Sequence, residues 1–554
     1  MSTVMPVAMS SYASQGIPTA DYHSKLNSYV VVVSLVAASG GLLFGYDLGV
    51  TGGVEATPAF QKKFFPSVYE ANIENQGNTD PWCVYNSAEL QLFTSSLFLA
   101  GLVISLPAAY ATRRLGRKFT MICSATCFLI GSALNAAAEN LTMLIIGRIF
   151  LGFGIGGANQ TVPLYLSEMA PFKLRGALNN LFQLLTTLGI LIAQLVNYAV
   201  VNWEEGWRLS LGLAAVPAIV LLLGGIFLPE SPNSLIERGY DDSGRAVLEK
   251  LRGTVEIDSE LSDIVAAAAE SKKVTAIQSF KYQFDKAYLP MFITTIAISF
   301  FQQFTGINSI MFYVPVLFSS LGSGHEASLL NAVIIGCFNV VATLVAIFTV
   351  DKLGRRTLLL EGGIQMFVSM VITSVVLGVE FTKYNTSNLP SGVAIGVLVV
   401  IIVFVTGFAW SWGPLGWLVP SEIQSLETRA AGMATCVIIN FFFSFVIGQC
   451  FLSMLCAMQW GVFLFFAGFV VLMTCFVFFL LPETKGLPIE RVQAKFARHK
   501  LWSKLMGPVA ADIIARDKAQ IADRKAADAA NKVEAVKDVG DTVVDAAADL
   551  LKIS

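Results

Sequence analysis

Twelve mostly apolar stretches, each about twenty residues or longer, leave this 554-residue chain few folds to choose from. A helix needs about 20 such residues to cross the hydrocarbon of a bilayer. On that criterion the spans fall at about 28–51, 89–111, 118–138, 141–163, 177–199, 207–228, 288–318, 327–350, 357–378, 391–418, 432–455 and 460–481. Lipid offers no partner to backbone N–H and C=O groups, so runs of this length form helices rather than open sheets. Charged residues make up 14% of the chain, against about 25% in soluble domains. The expected fold class is an all-α membrane protein of twelve transmembrane helices.

The chain also repeats itself. Arg114-Leu115-Gly116-Arg117-Lys118 is echoed by Lys352-Leu353-Gly354-Arg355-Arg356. Ser167-Glu168-Met169 with Arg175 is echoed by Ser421-Glu422-Ile423 with Arg429, and Pro229-Glu230-Ser231-Pro232 by Pro482-Glu483-Thr484-Lys485. Each pair occupies one place in a six-span unit, so two pseudo-symmetric halves are expected, with a binding site at their interface near the bilayer midplane. The division is a terminal segment 1–27, a first half 28–228 with a long outer loop at about 52–88, a helical linker 229–287, a second half 288–481 and a tail 482–554.

Basic residues mark the cytoplasmic side of short loops. Arg113, Arg114, Arg117, Lys118, Lys173, Arg175, Lys352, Arg355, Arg356 and Arg429 all fall in loops on one side. Both termini and the linker are then cytoplasmic and the 52–88 loop is outside. The start of the chain lacks the pattern of a cleaved signal, so the first apolar run is read as a retained span. Two sequons, at Asn140 and at Asn385, fall in outer loops; the Asn140 loop is too close to the bilayer to accept a glycan readily.

Net charge is −2, which gives no basic footprint for nucleic acid. Eight cysteines form no CxxC pair, and the three histidines are His23, His325 and His499. A metal centre or catalytic relay is not expected, and no nucleophile–base pair points to an enzyme.

Two charges stand inside apolar runs. Asp47 lies near the outer end of span 1, in Gly45-Tyr46-Asp47-Leu48-Gly49, and Arg148 lies in span 4, in Gly147-Arg148-Ile149. An ionisable residue in a span is a functional candidate by default. Spans 1 and 4 run in opposite directions, so both charges reach similar depth, where they can pair. A carboxylate there can take up a proton, lose its charge and release the guanidinium, which is a switch tied to an ion gradient. A purely structural pair is the alternative.

Span 7 carries Gln302, Gln303 and Asn308 around Gly306. Amides supply donors and acceptors without charge, which suits neutral, hydroxyl-rich ligands, and Gly306 permits local unwinding where the backbone lines a cavity. Gln183, Asn339 and Asn440 add amides in spans 5, 8 and 11; taken singly, each could equally be an interhelical hydrogen bond. Span 10 ends in Trp410-Ser411-Trp412-Gly413-Pro414-Leu415-Gly416-Trp417. Its Gly and Pro break the helix so that rings can face a cavity, or the rings form an interfacial belt.

With these motifs together, residues 20–510 resemble the sugar porters of the major facilitator superfamily, closest to the monosaccharide–proton symporters of plants and green algae. The residues that carry the resemblance are Gly40–Gly53, Gly147-Arg148, Pro229–Pro232, Gln302–Asn308, Trp412–Trp417 and Pro482–Gly486. The resemblance implies a monosaccharide importer with the proton as coupling ion, no cofactor, a plasma-membrane location and function as a monomer in contact with lipid. It implies that Asp47 carries the proton and Arg148 is its partner. It implies that Phe44, Leu48, Gln183, Gln302, Gln303, Asn308, Asn339, Trp417 and Asn440 contact the sugar. Arg114, Arg117, Glu168, Arg175, Glu230, Arg355, Arg356, Glu422, Arg429 and Glu483 resemble the ion-pair network that latches the outward-open state. The outer loop resembles a lid, with Cys83 matching a disulfide partner of Cys456 in the loop after span 11. Arg113 departs from the superfamily motif, which carries Asp there, as the second copy does at Asp351; Leu48 replaces an Asn common in algal relatives. A passive facilitator and a non-transporting sugar receptor are the competing functions; Asp47 speaks for coupling, and the short tail speaks against a receptor.

Overall fold

The computed structural model describes residues 27–74, 82–171, 175–273, 275–320, 324–384, 390–425, 427–485, 487, 489–519 and 521–522. Asn385, Lys173 and the side chains of Arg175 and Asp351 lie outside the described part, as does the chain beyond 522.

Among the described residues the regular structure is helical. The first half contains α1 (Ser28–Ala56), α4 (Ala88–Arg114), α5 (Arg117–Ala136), α6 (Leu141–Met169), α7 (Arg175–Ala199) and the pair α8 (Gly206–Gly212) and α9 (Ala215–Phe227). The lid segment adds α2 (Pro58–Phe64) and α3 (Pro66–Glu74). The linker folds as α10 (Pro232–Glu237), α11 (Asp241–Arg252), α12 (Asp258–Lys273) and α13 (Ala276–Tyr282). The second half contains α14 (Leu289–Gln303), α15 (Ile307–Ser320), α16 (His325–Leu353), α17 (Arg355–Tyr384), α18 (Ser391–Trp410), α19 (Trp412–Ile423), α20 (Arg429–Met458) and α21 (Gly461–Leu480), followed by α22 (Ile489–Ala497) and α23 (Lys500–Met506). Among the described residues, eleven stretches are long and apolar enough to cross a membrane. The twelfth, α14 with α15, is broken at Gly306, whose φ of +79° belongs to the left-handed region.

The halves meet along α1 with α15, α7 with α16 and α4 with α20. Within the first half the closest approach is between α1 and α7. A Cβ on Gly41, Gly45 or Gly49 would run into the backbone carbonyl of Phe182, Thr186 or Ile190 respectively. Both series step by four residues, so two helix backbones lie in contact along one face, as small residues allow between membrane helices. Gly52 and Gly53 serve the same end, against Phe312 and Asn197. They therefore do not stop the helix, and α1 runs five residues past the expected boundary at 51, to Ala56.

The lid segment is pinned to the first half. Phe60 and Phe64 pack on Trp207, at 5.6 and 5.2 Å between ring centroids. Lys63 and Arg208 both pair with Glu139, at 2.7 and 2.6 Å; their hydrogen bonds hold this exposed carboxyl below its usual range. The linker touches both halves: Arg252 donates to the carbonyls of Met169 and Ala170 at the end of α6, and Ser279 donates to that of Glu427. The tail docks through Trp502, whose indole donates to Leu480 O at 2.7 Å, and folds on itself where Asp517 pairs with Arg491 and Arg498.

The glycine contact carries a stability prediction. Gly45→Val inserts a side chain where the Thr186 backbone lies, and overpacking of this kind costs about 1–3 kcal/mol or more. The purified variant is expected to unfold at a clearly lower temperature than the parent in the same detergent; an unchanged melting temperature contradicts the packing account.

Candidate functional site

Asp47 lies two-thirds of the way along α1, not at a wetted end. It is 1% exposed and Arg148 on α6 is 0% exposed. Arg148 Nη1 donates to both Asp47 carboxylate oxygens, at 2.8 and 3.0 Å, and Nη2 donates to Thr51 Oγ1 at 2.9 Å. The guanidinium lies 3.9 Å from the centroid of the Phe93 ring, a cation–π contact strengthened by the absence of competing water. The expected pair is present, at the depth where antiparallel helices bring it.

The break between α14 and α15 presents the amides. Gln302 and Gln303 end α14, and Asn308 is the second residue of α15. Gln302 Nε2 donates to the carbonyls of Trp412 and Gly413, at 2.9 and 3.2 Å, and Gln302 Oε1 accepts from Asn440 Nδ2 at 3.0 Å. Gln303 donates to Asn440, and its Oε1 accepts from Asn308 Nδ2 at 2.6 Å and Ser444 Oγ at 2.8 Å. Phe44, Leu48, Gln183, Gln302, Gln303, Asn308, Asn339, Trp417 and Asn440 all line one cavity of about 70 Å³. All nine expected substrate residues are thus brought together, from α1, α7, α14, α15, α16, α19 and α20.

That cavity shares Asn159, Gln183 and Trp417 with a larger one of about 470 Å³, which is also lined by Arg117, Glu168 and Arg429. The site therefore opens toward the end of the bundle that carries the basic loops. At the lid end it is closed. Cys83 is bonded to Cys456, Gln91 donates to Ser453 at 3.0 Å and Ser95 to Gln449 at 2.6 Å. The Trp82 ring lies tilted against that of Phe381, with 4.9 Å between centroids. Cys456 sits in the last turn of α20 rather than in a loop, because the helix continues to Met458.

The repeated charges bond the first half to the linker and the second half to the start of the tail. Arg117 pairs with Glu168 at 2.7 Å and with Glu237 at 2.9 Å, and Glu230 accepts from the Arg117 backbone N–H at 3.0 Å. Arg355 pairs with Glu422 at 2.8 Å, and Glu483 accepts from the backbone N–H of Arg355 and Arg356 at 3.1 and 3.0 Å. The Arg356 guanidinium donates to Phe478 O at 2.6 Å, and Arg114 lies 5.9 Å from the Tyr110 ring centroid. Arg429 faces the larger cavity.

Sequence reasoning missed or misplaced four kinds of residue. Asn159 on α6 lines both cavities, and neither end of its buried amide has a hydrogen-bond partner among the described residues; the Asn159-Gln160 pair inside span 4 was the available signal. Thr186, Thr187 and Ser444 also line the smaller cavity, and hydroxyls in apolar helices are too common to single out. Trp412 was legible only as a ring near a break: it is buried, and its indole donates to Leu359 O at 3.1 Å instead of facing the cavity. Glu55 was assigned to a loop by the early end given to span 1, yet it is 0% exposed inside α1.

A buried pair makes a distinctive stability prediction. Removing one partner leaves an uncompensated charge and costs about 3–5 kcal/mol, whereas replacing both is often neutral. Arg148→Gln should therefore lower the melting temperature strongly, and Asp47→Asn added to it should restore most of the loss. A double variant no more stable than Arg148→Gln alone contradicts the pair's isolation from water.

The family model described as "Sugar (and other) transporter" matches residues 33–496. The chain is 60% identical over 515 residues to the H(+)/hexose cotransporter 2 of Parachlorella kessleri, covering 93% of this chain and 94% of the relative. It is 50% identical over 489 residues to Sugar transport protein 13 of Arabidopsis thaliana, covering 88% and 92%. Among solved structures it is similar to the proton:xylose symporter XylE bound to 6-bromo-6-deoxy-D-glucose. The TM-score is 0.69 with 26% identity, over 85% of this chain and 99% of that one.

Proposed function

The chain belongs to the sugar (and other) transporter family, and from that premise we propose that it is a proton-coupled symporter that imports hexoses across the plasma membrane. The observation that carries this reading is the buried Asp47–Arg148 pair on the helix whose Phe44 and Leu48 line the amide cavity. The basic end of the bundle is cytoplasmic, with both termini, and the lid faces outside. The protein works as a monomer in lipid, with sugar and proton as its ligands and no cofactor.

Gln302, Gln303, Asn308 and Asn440 bond to one another. A sugar replaces those bonds with its hydroxyls, each a donor and an acceptor. Gln183, Asn159 and Asn339 add amides from other helices, and the Trp417 ring faces the apolar C–H surface. A sugar lacking a matched hydroxyl leaves a buried amide unpaired, which is the strong form of discrimination.

Protonation of Asp47 removes the charge that holds Arg148. Asp47 lies three residues beyond Phe44 and one before Leu48, so a change in its bonding moves side chains at the sugar. The backbone contact between α1 and α7 carries the same displacement to Gln183. A proton crossing inward gains about 2.3 kcal/mol per 100 mV of membrane potential, which concentrates a neutral sugar taken with it. The two halves rock about the midplane site. In this arrangement the path is open at the basic end and the Cys83–Cys456 bond ties the lid to the second half at the other.

Asp47→Asn keeps the side-chain volume and removes the titratable group. Expressed in cells lacking their own sugar transporters, it should lose uphill glucose accumulation and glucose-induced alkalinisation of the medium. Accumulation at the parental level would remove Asp47 from the coupling role.

A further inference from the structure

The last turn of α1 holds a second buried carboxylate. Glu55 is 0% exposed. Its Oε1 accepts from Thr94 Oγ1 on α4, and its Oε2 has no hydrogen-bond partner among the described residues. Asp47, Thr51 and Glu55 follow one another at intervals of four, so they line one side of α1. Thr51 stands between the two acids and accepts from Arg148 Nη2. Arg148 Nε is likewise without a partner. One guanidinium thus serves a helix face that carries two acids, and each side has an unused polar atom.

The surroundings of Glu55 join it to the lid. Its backbone carbonyl accepts from Gln61 Nε2 of α2 at 2.8 Å. Gln61 accepts from Asn72 of α3, and Asn72 donates to Tyr85 Oη at 3.2 Å. Among the described residues the charged or titratable groups acting on Glu55 are the Arg148 guanidinium and the Tyr313 phenol of α15, with Asp47 farther along its own helix. Tyr313 donates to Gly448 O at 3.3 Å and so offers the carboxylate no hydrogen bond. A carboxylate that merely tied α1 to α4 through Thr94 would have no need of burial beside an arginine already paired to another acid. An amide or a second hydroxyl would make that bond without the cost of burying a charge.

We propose that Glu55 is a second proton-binding group of this transporter, which takes the proton on the lid side and passes it to Asp47 while Arg148 exchanges one carboxylate for the other. This rests on the proton-coupled reading given above. A proton from water on the lid side forms an O–H bond on Glu55. That bond breaks as the proton moves to the Asp47 carboxylate, leaving Glu55 as the anion and Asp47 as the neutral acid. The guanidinium released by Asp47 then has Glu55 as its counter-ion, so it stays neutralised throughout. The two acids are about 12 Å apart along the helix, at 1.5 Å per residue, so the proton passes by way of the Thr51 hydroxyl and water admitted when the lid end opens.

The test is glucose uptake against external pH in cells lacking other sugar transporters, with glucose counterflow used to normalise each variant to folded, sugar-binding protein. Glu55→Gln should move the half-maximal external pH to the acid side by about one unit, a tenfold higher proton concentration. Glu55→Asp, which keeps the acid, should restore the parental profile. Thr94→Val removes the hydrogen bond that favours the charged form and should move the profile to the alkaline side. A Glu55→Gln profile superimposed on the parent overturns the proposal. If Glu55→Gln does not reach the membrane, an unshifted Thr94→Val profile overturns it. Asp47→Asn measured alongside separates the two claims: its continued accumulation of sugar would sink the coupling role of Asp47, whereas parental profiles for the Glu55 and Thr94 variants would sink only the relay.

Discussion

The rest of the structure depends on one interaction, the ion pair between Asp47 and Arg148. Each charge alone is unaffordable in a bilayer interior, and together they are tolerated because the guanidinium also donates to Thr51 and lies on Phe93. Such a pair is weak evidence for stability, since a matched apolar pair would serve as well or better. It makes sense as a bistable element, in which one proton cancels one charge and frees the other. The helices around it are built to hold that element while letting its consequences travel.

The proposed transmission is mechanical. α1 has side chains at the ion pair and side chains at the amide cavity, and its glycine face lies against the α7 backbone. No soft layer of long side chains separates those two helices, so a shift of one is a shift of the other. The second half contributes the amides at a break in its first helix, where Gly306 lets the chain turn and Gln302, Gln303 and Asn308 converge. The first half thus offers the buried carboxylate and the second half most of the polar groups that line the cavity. In the proposed cycle, binding and protonation meet at the interface between them.

Much of this was legible in the sequence. The twelve apolar runs, the doubled loop motifs and the paired charges set the architecture, and the side chains expected at the cavity all line it. What escaped reading were features set by contact rather than by composition. Span 1 was ended at about 51, but Gly52 and Gly53 continue the helix in close packing against Phe312 and Asn197. The same misreading placed Glu55 in a loop. Cys456 was given to a loop because span 11 was ended at 455, three residues before α20 ends. Asn159 was hidden inside a glycine-rich run whose orientation a linear pattern does not reveal. The partnership of Arg117 with Glu237 needed the fold of the linker, which brings α10 against the first half.

The central claim is that a proton gradient does work on the sugar through this site. The most direct test uses the purified, unaltered protein in sealed vesicles that hold glucose at equal concentration inside and out, with the outside then made acidic. The account predicts that glucose accumulates inside above the external concentration and that a protonophore abolishes the accumulation. Glucose that remains equal on both sides while exchanging freely would show a facilitator, and would contradict the account.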